Sequence, residues 1–325
     1  MKLVTFDAGG SQRVGALLAN GDVLDLAAAA RRTGADSAAL SSMQALIEGG
    51  ERAWDGARRL IEASPAEAVR TAADTRLLAP LPRPIRLRDC SLFLQHMEKA
   101  LLKMASNLAE AEPDPKAAYE RLVASGDYSL KPIFKNQIVY YNSDHLAVSG
   151  PEDEIVWPPY SDWIDFELEW ACVIGKPARD AKPSEARSHI FGYTIFNDWS
   201  ARDVQLPIME AKLGPGEGKD FELGNGLGPC IATPDEFPDP YDLTMTARIN
   251  GEEWSRGSTS TMHHTFDDAV VQFSRAKTLH AGEVIGSGTV LSGCGFELGR
   301  QLSANDVVEL EIEGIGVLRN RVVRR

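Results

Sequence analysis

Three carboxylates alternate with apolar residues in the run Asp165-Phe-Glu167-Leu-Glu169-Trp. On a β-strand every second side chain points to the same face, so a strand here would place all three carboxylates together. Neighbouring carboxylates repel each other unless water or a cation screens their charge. The pattern therefore leaves two interpretations open: a solvated strand face, or a site for Mg²⁺ or Ca²⁺, which prefer oxygen ligands.

A second group of polar residues lies between Asn197 and Gln205, in the segment NDWSARDVQ. Asn197, Asp198 and Ser200 are all suitable N-cap residues for a helix. If a helix begins here, Asp198, Arg202 and Gln205 lie at positions i, i+4 and i+7, on one face. Such a face could bind an anion beside a metal ion. It could also form only an exposed ion pair, worth about 0.3–0.5 kcal/mol.

A carboxylate and an imidazole are seven residues apart at Asp89 and His96. In a helix this spacing would place both side chains on the same face. Asp89 could then hold a metal ion while His96 acts as a general base, because histidine titrates near neutral pH. The two residue types also occur at helix starts without any catalytic role, so both interpretations remain open.

Two glycine-rich segments do not have the spacing of nucleotide-binding loops. The segment Gly214–Phe221 is one residue too short for a phosphate-binding loop, and no Ser or Thr follows Lys219. The segment Gly286–Gly299 does not contain the GxGxxG pattern. The sequence therefore predicts neither a phosphate-binding loop nor a dinucleotide site.

The elements that must position these residues fall into two parts of the chain. Residues 1–80 carry three short apolar runs, a turn signal at Asn20-Gly21, and helical stretches near Ser37–Ile47 and Glu51–Ala63. The segment LLAPLPRPIRLRD that follows contains three prolines, which neither continue a helix nor belong in a central strand. We therefore predict a small N-terminal domain over residues 1–80 and a larger domain over residues 81–325.

The larger domain combines one helical stretch with many short strands. Apolar residues recur at helical spacing over Leu92–Glu120. From residue 130 onward, β-rich runs such as FELEWACVIG and HIFGYTIFN alternate with Gly and Pro turns. The sequence thus predicts an α+β fold class that is mostly β, with one large and mainly antiparallel β domain.

The composition restricts the partners. The 325 residues include 47 acidic and 34 basic side chains, and the net charge is −13. An acidic chain without a basic cluster argues against nucleic acid or an anionic membrane as partner. We find neither a signal-peptide core nor an apolar stretch of the about 18 residues that a membrane span needs. Four separated cysteines indicate free thiols in a reducing compartment, so we expect a cytoplasmic protein.

In combination and in this order, the motifs resemble those of the fumarylacetoacetate hydrolase (FAH) family. The resemblance covers roughly residues 85–325, and its most specific part is GYTIFNDWSARDVQ at Gly192–Gln205. Its other parts are Asp-x6-His, Glu-x-Glu before VIGK, GKxF, GP, TPDE and SGT followed by a Glu. The resemblance implies an FAH C-terminal-domain-like β-roll or sandwich, preceded by a small N-terminal α+β domain.

The resemblance also implies a role for each matching residue. The metal ligands would be Asp89, Glu167, Glu169 and Asp198. His96 would be the general base, and Glu297 would orient that histidine or its water. The substrate carboxylate or developing oxyanion would be held by Arg202, Gln205, Lys219 and Thr289. Asp165 lies outside the implied ligand set, either next to it or on the surface.

One segment departs from the family pattern. Residues 97–145 contain helical and tyrosine-bearing stretches that do not align with the motifs, and we expect them to form a lid. Tyr141 in this segment is a candidate for substrate contact, with a structural role as the alternative. The identity of the substrate therefore stays open at this point.

The implied activity is a divalent-metal-dependent hydrolysis of a C–C bond in a 1,3-diketo or 2-oxo acid, such as an acylpyruvate or a fumarylacetoacetate-like compound. The implied cofactor is Mg²⁺, with Mn²⁺ or Ca²⁺ as alternatives. An isomerase, decarboxylase or hydratase of 2-oxo acids from aromatic or sugar-acid catabolism is the alternative within the family. A metal-stabilised binding protein that has lost catalysis is the alternative outside it. We expect a small carboxylate substrate and a homodimer.

Overall fold

A computed structural model describes the whole chain, residues 1–325. Nine α-helices occur along the chain: α1 (Leu26–Thr33), α2 (Met43–Glu48), α3 (Gly50–Ala63), α4 (Leu94–Glu110), α5 (Pro115–Ala124), α6 (Ile133–Asn136), α7 (Arg202–Met209), α8 (Phe266–Phe273) and α9 (Gly295–Leu298). Strands outnumber helices, so the α+β, mostly β fold class that the sequence predicts is confirmed. No helix is both long enough and apolar enough to cross a membrane.

The strands fall into an early group before the longest helix and a late group after it. The early strands are β1 (Lys2–Asp7), β2 (Gln12–Leu17), β3 (Val23–Asp25), β4 (Val69–Arg70), β5 (Leu77–Leu78) and β6 (Arg86–Cys90). The late strands are β7 (Tyr140–Ser143), β8 (Val148–Ser149), β9 (Glu154–Val156), β10 (Ile164–Asp165), β11 (Glu169–Ile174), β12 (Ala178–Arg179), β13 (Ile190–Asp198), β14 (Ser200–Ala201), β15 (Asn225–Ala232), β16 (Thr244–Ile249), β17 (Glu252–Ser258), β18 (Thr278–Leu279), β19 (Glu283–Gly286), β20 (Val307–Ile312) and β21 (Gly316–Val323).

Two large sheets organise these strands. The first has the order β4-β3-β2-β1-β15-β13-β11-β19-β6-β7, with β5 beside β1 and β8 beside β15. The second has the order β17-β16-β20-β21-β9. The pairs β6–β19, β8–β15 and β9–β21 are parallel, and the other pairs are antiparallel. The prediction of a mainly antiparallel β domain is therefore correct.

Strand β11 shows how the first sheet separates two cores. All six of its residues are buried. Trp170 and Cys172 point into a core shared with the second sheet, whereas Ala171 and Val173 point into a core shared with the N-terminal helices. Because side chains alternate along a strand, a strand covered on both faces is apolar throughout. The molecule thus has three layers: the second sheet, the first sheet, and helices α1–α3.

The N-terminal segment continues the first sheet. Strand β1 pairs antiparallel with β15, with Lys2 opposite Ala232 and Leu3 opposite Ile231. On α3, the ring of Trp54 packs 5.1 Å from the ring of Phe191 on β13. The division near residue 80 stays a prediction, and residues on both sides of it share one sheet and one core.

Three local predictions need correction. The predicted helix over Leu92–Glu120 is two helices, because Asp114 caps α5 through the Ala117 amide at 3.1 Å and Pro115 begins α5. The predicted helix over Ser37–Ile47 begins only at Met43, after a short 3₁₀ turn. Helix α1 was not predicted; it begins after Asp25, whose carboxylate accepts a hydrogen bond from the Ala28 amide at 2.9 Å.

Candidate metal and acid–base site

Three buried carboxylates meet at one edge of the first sheet. Asp89 lies near the end of β6, Glu169 begins β11 and Asp198 ends β13. Strands β11 and β13 are antiparallel, so the first residue of one lies beside the last residues of the other. The ligand oxygens of all three side chains lie within 4.8 Å of one another. Carboxylates this close form a natural site for a hard divalent cation.

The electrostatics of this carboxylate cluster favour a cation. Burial, reinforced by Asp198, raises the pKa of Asp89 to about 7. Burial, reinforced by the charge of Asp89, raises the pKa of Glu169 well above its usual range. Burial also raises the pKa of Asp198, and the neighbouring Lys219 only partly offsets it. The protein by itself therefore stabilises these groups poorly as anions, and a bound divalent cation would remove that penalty.

The glycine-serine-threonine region after β19 orients the cluster from one side. The Gly288 amide donates to Asp89 Oδ1 at 3.1 Å and to Glu169 Oε2 at 3.0 Å. The Thr289 hydroxyl donates to Glu169 Oε1 at 3.2 Å. In contrast, Asp198 Oδ1 is buried and has no hydrogen-bond partner. A buried carboxylate oxygen without a donor is costly, and an unsatisfied oxygen on a member of a three-carboxylate cluster fits a metal ligand.

Glu167 lies beside this cluster but is held by cations. Lys219 Nζ is 2.7 Å from Glu167 Oε2 and 2.6 Å from Asp198 Oδ2, so one ammonium bridges two carboxylates. Burial alone would raise the pKa of Glu167, but Lys219 and Arg202 outweigh it and hold that pKa below its usual range. Three of the four predicted metal ligands thus lie together, and the role of Glu167 as the fourth stays a prediction.

Arg202 is anchored on three sides in the interior. Its Nε donates to Asp165 Oδ2 at 2.9 Å, and its Nη1 donates to Gln205 Oε1 at 2.9 Å. Its Nη2 lies 2.8 Å from Glu167 Oε1, which is ion-pair distance without hydrogen-bond geometry. Asp165 also accepts from the amide of Gly295 at the start of α9. Of the two alternatives for Asp165, the surface position is wrong because the side chain is buried. Its carboxylate holds Arg202 and the start of α9 in place.

An imidazole–carboxylate pair lies at the start of α4. His96 Nδ1 is 2.8 Å from Glu297 Oε2. The other carboxylate oxygen of Glu297 accepts from the Ser292 amide at 3.1 Å. The His96 side chain is 13% exposed and that of Glu297 is fully buried, so the imidazole is the member of the pair that solvent and ligand can reach. This pairing is the one that the resemblance implied.

One side chain of the predicted lid contacts the carboxylate cluster. Tyr141 on β7 donates its hydroxyl to Asp198 Oδ2. Burial, with Asp198 beside it, raises the pKa of Tyr141 well above its usual range, so the hydroxyl stays protonated. On α4, Lys99 Nζ donates to the Ser292 hydroxyl at 2.6 Å and ties this helix to the segment that carries Glu297. Substrate contact by Tyr141 stays a prediction.

Three spacing arguments fail, although the residues they single out lie in the site. Asp165 and Glu169 belong to separate strands, and all three acidic residues of this run are buried, so the solvated-face interpretation is wrong. Asp89 lies on strand β6 while His96 lies on α4, so no helix face joins them. Helix α7 begins at Arg202, after an Ala201 cap, and does not include Asp198.

Some groups that hydrogen-bond the acidic residues of the site could not be assigned this role from the sequence. The Asn197 side chain accepts a hydrogen bond from the Glu167 amide at 2.9 Å and fixes the backbone between the acidic residues. The Cys294 thiol donates to Glu297 Oε2 at 3.6 Å. A cysteine three residues before the implied catalytic carboxylate could have drawn attention to Cys294. The backbone amide of Gly288 could not be found without the fold.

Family comparison agrees with this architecture. The sequence model of the family described as fumarylacetoacetate (FAA) hydrolase, C-terminal, matches residues 116–323, which is more than half of the chain. The chain therefore belongs to the fumarylacetoacetate hydrolase family, whose members carry the names of hydrolases, isomerases and tautomerases. Asp89 and His96 precede the range that the family model matches. The structure brings them into contact with residues inside that range, namely Glu169 and Glu297.

Curated relatives match part of the chain. The mitochondrial oxaloacetate tautomerase FAHD2A of Homo sapiens is 35% identical over 196 residues, which are 59% of this chain and 60% of that protein. An uncharacterized protein of Methanocaldococcus jannaschii is 40% identical over 176 residues, which are 54% of this chain and 69% of that protein. The match thus spans about three-fifths of the human protein's length.

Solved structures match the whole chain. A fumarylacetoacetate hydrolase from the psychrophilic Exiguobacterium antarcticum has a TM-score of 0.74 and 27% identity and covers 100% of both chains. A probable 2-hydroxyhepta-2,4-diene-1,7-dioate isomerase from Mycobacterium abscessus has a TM-score of 0.71 and 25% identity and covers 100% of this chain and 99% of its own. These likenesses confirm the predicted FAH-type fold.

Proposed function

We propose that this protein is a divalent-metal-dependent hydrolase that cleaves a C–C bond in a 1,3-diketo or 2-oxo acid, such as an acylpyruvate or a fumarylacetoacetate-like compound. The observation that carries the proposal is the hydrogen bond of 2.8 Å between His96 Nδ1 and Glu297 Oε2, next to a buried carboxylate cluster. A hydrolase needs a base to activate water, and an imidazole oriented by a buried carboxylate is suited to that task.

The metal would be held by Asp89, Glu169 and Asp198, with Glu167 as the predicted fourth ligand. Oxygen ligands alone favour Mg²⁺, with Mn²⁺ or Ca²⁺ as alternatives. When bound, the ion supplies Lewis acidity that polarises substrate oxygens. The unsatisfied Asp198 Oδ1 and the raised pKa values of the cluster support this assignment.

The acid–base step belongs to His96. A carboxylate can only accept from Nδ1, so we assign the ring proton to Nδ1, which leaves Nε2 free to accept another. His96 Nε2 then takes a proton from the attacking water, and the buried Glu297 carboxylate stabilises the imidazolium that results. The Ser292 amide holds the other oxygen of Glu297, so the carboxylate keeps its orientation during the proton transfer.

The positive charge beside the cluster belongs to Lys219 and Arg202. We assign these residues, with Gln205 and Thr289, to the substrate carboxylate and to the charge that develops when the C–C bond breaks. Both cations are buried and fixed by carboxylates, so they are oriented before a substrate arrives. Fixed donors stabilise developing charge better than mobile ones because they need no reorganisation.

A second candidate is an isomerase or tautomerase of a 2-oxo acid, with decarboxylase and hydratase as further variants. The names of the human relative and of the Mycobacterium abscessus neighbour favour it. The same residues serve it, because His96 can move a proton between carbon and oxygen of an enolisable acid. The candidates differ in their products: only the hydrolase uses water to cleave a C–C bond and so releases two carboxylic acids.

The test measures products, not only absorbance. The full chain is incubated with Mg²⁺ or Mn²⁺ and with acetylpyruvate, fumarylpyruvate, fumarylacetoacetate or oxaloacetate, with and without chelator. The wild type is compared with His96→Ala and with His280→Ala, whose exposed imidazole makes no side-chain hydrogen bond. Metal-dependent release of two acids that is lost only in His96→Ala supports the hydrolase. A keto–enol change without cleavage supports the second candidate, and equal turnover in His96→Ala removes His96 from the mechanism.

The remaining assignments stay predictions. A location in the cytoplasm rests on the four buried free cysteines, and a homodimer rests on the family resemblance. A small carboxylate as the partner molecule follows from the cations of the site. Sedimentation of the purified chain would test the dimer directly.

A further inference from the structure

A second group of metal-ligand types shares no residue with the carboxylate cluster. His96, Cys294 and Glu297 each offer one ligand atom, and these atoms lie within 4.8 Å of one another. The set comprises an imidazole nitrogen, a thiol sulfur and a carboxylate oxygen. Proteins bind zinc with this combination of ligands, whereas oxygen-only sites suit Mg²⁺, Mn²⁺ and Ca²⁺.

The hydrogen bonds of Glu297 show where an ion would lie. Its Oε1 is occupied by the Ser292 amide, and its Oε2 is shared by His96 Nδ1 at 2.8 Å and the Cys294 thiol at 3.6 Å. Two donors thus converge on one carboxylate oxygen. A cation among these atoms would replace both hydrogen bonds with bonds to itself and leave the Ser292 contact intact.

The separations are close to those of a tetrahedral zinc ion. Bonds of about 2.3 Å to sulfur and about 2.0 Å to oxygen place those two ligand atoms roughly 3.5 Å apart. The observed distance between Cys294 Sγ and Glu297 Oε2 is 3.6 Å. The His96 nitrogen and the Glu297 oxygen, now 2.8 Å apart, would need to separate by roughly 0.5 Å. A rotation of the partly exposed imidazole can supply this movement.

Access comes from the side of His96. Its side chain is 13% exposed, whereas Cys294 and the Glu297 side chain are fully buried. An ion entering past the imidazole would keep one position open for water, as three-ligand zinc sites do. Cys294 is the N-cap residue of α9, so the helix start fixes the backbone that carries the sulfur.

We propose that His96, Cys294 and Glu297 form a second, inhibitory metal site that binds Zn²⁺ or an ion of similar softness. Binding releases the thiol proton to solvent, so a neutral Cys294 becomes a thiolate ligand. The metal takes His96 Nδ1, and the ring proton moves to Nε2. The nitrogen that accepts a proton during catalysis is then blocked. The inhibition rests on the proposed function, whereas the metal site itself does not.

Cobalt reports on the site independently of turnover. Protein saturated with Mg²⁺ is titrated with Co²⁺, and the thiolate-to-cobalt charge-transfer band in the near ultraviolet is recorded. The carboxylate cluster has no sulfur and cannot give this band. We expect the band in the wild type and in Cys230→Ser, which changes another buried thiol. We expect its loss in Cys294→Ser and Cys294→Ala, each checked for folding by circular dichroism. Absence of the band in the wild type, or its persistence without Cys294, would overturn the proposal.

Zinc then tests the consequence for activity. With turnover established, Zn²⁺ added to the Mg²⁺-loaded wild type should lower kcat at least tenfold, and the relative inhibition should be at least tenfold weaker in Cys294→Ser. Equal zinc inhibition in both proteins would overturn the inhibitory role. A cobalt band without turnover of any substrate would leave the metal site standing and contradict the proposed hydrolase. Turnover without the cobalt band would support the proposed hydrolase and overturn the second metal site.

Discussion

Two kinds of carboxylate lie side by side in this protein. Glu167 is surrounded by Lys219 and Arg202 and is stable as an anion. Asp89 and Glu169 have mainly other carboxylates and backbone amides around them, and the pKa values of both are raised. The first environment keeps its charge without help, and the second needs a cation. This difference gives a pH dependence that the metal should remove.

In the metal-free protein, the free energy of unfolding should decrease as pH rises from about 4 to about 7. The pKa of Asp89 is about 7 in the folded protein and about 3.9 in the unfolded chain, so the folded state binds more protons in this window. Urea unfolding near pH 5 and near pH 7.5, with chelator or with Mn²⁺, measures the effect. Mn²⁺ should flatten the dependence, and Asp89→Asn should reduce it. An unchanged slope in Asp89→Asn would assign it to other groups.

Glu297→Gln should lower kcat by about 10²–10⁴ while KM changes little. An amide cannot stabilise the imidazolium of His96, and its NH₂ group can bind Nδ1 in the wrong tautomer. Steady-state kinetics of the metal-loaded enzyme measure the loss. The exposed Glu62→Gln serves as the control and should match the wild type. A variant with unchanged kcat would exclude the pair from the rate-limiting proton transfer.

At the scale of elements, the site depends on short segments that pass close to one another. The turn after β19 brings the Gly288 amide to two carboxylates, with Gly288 at φ +75°. A Cβ at this position would lie 2.1 Å from the Cys90 carbonyl oxygen on β6. The first residue of helix α9, Gly295, donates its amide to the Asp165 carboxylate, which also accepts a hydrogen bond from Arg202. Both segments are therefore constrained by the site and constrain it in return.

Gly288→Ala should destabilise the protein by more than Gly251→Ala and should weaken divalent-metal binding. Both glycines have positive φ, at +75° and +83°, so both substitutions carry a backbone strain of about 1–2 kcal/mol. Only Gly288 has a backbone atom in the way, because nothing lies within 4 Å of a Cβ at Gly251. Thermal unfolding and metal titration of both variants measure the difference. Equal losses of stability in the two variants would mean that only the backbone strain at positive φ matters, and not the clash with the Cys90 carbonyl.

Asp165→Asn should destabilise the protein by about 3–5 kcal/mol, because it removes one of the two buried carboxylates that balance the charge of Arg202. Asp162→Asn is the matched control: its carboxylate is 2.8 Å from Arg324, but the pair is exposed, and its loss should cost less than about 1 kcal/mol. Urea unfolding compares the two. Similar losses in the free energy of unfolding would show that the buried ion pair of Asp165 contributes no more to stability than the exposed pair of Asp162.

At the scale of the whole molecule, one sheet joins the N-terminal segment to the site. Strand β1 covers the edge of β15, and β15 lies next to β13, which ends at Asp198. The core under helices α1–α3 also includes residues of β11 and β13, such as Val173 and Phe191. An exposed strand edge and an uncovered apolar face both favour aggregation.

Removal of residues 1–80 should therefore leave a chain that is not stably folded, although the sequence places a domain boundary there. Size-exclusion chromatography and near-ultraviolet circular dichroism of the 81–325 fragment, beside the full chain, test this expectation. The full chain should unfold in a single transition. A monomeric fragment with the native spectrum and its own cooperative transition would establish residues 81–325 as an independent domain.

The sequence alone determined the family and the fold class, and it named the residues of the candidate site. The motif GYTIFNDWSARDVQ carried most of this information, because it places Asp198, Arg202 and Gln205 in a recognisable order. Helical spacing by itself grouped these residues for the wrong reason. Asp89 and His96 do not lie on one helix, and Asp198 is not on α7. Periodicity describes one element at a time, whereas this site is assembled from the ends of several.

Only the tertiary structure decided which of these carboxylates are ion-paired and which are free to bind a cation. It separates a cluster without cationic partners, at Asp89 and Glu169, from the ion-paired Glu167, and it places Asp165 in the interior beneath Arg202. It also brings Cys294 to Glu297. Burial and pairing depend on which distant segments pack together, and these long-range contacts set the charge of each group. A linear pattern can name the carboxylates, but their surroundings determine which of them need a metal.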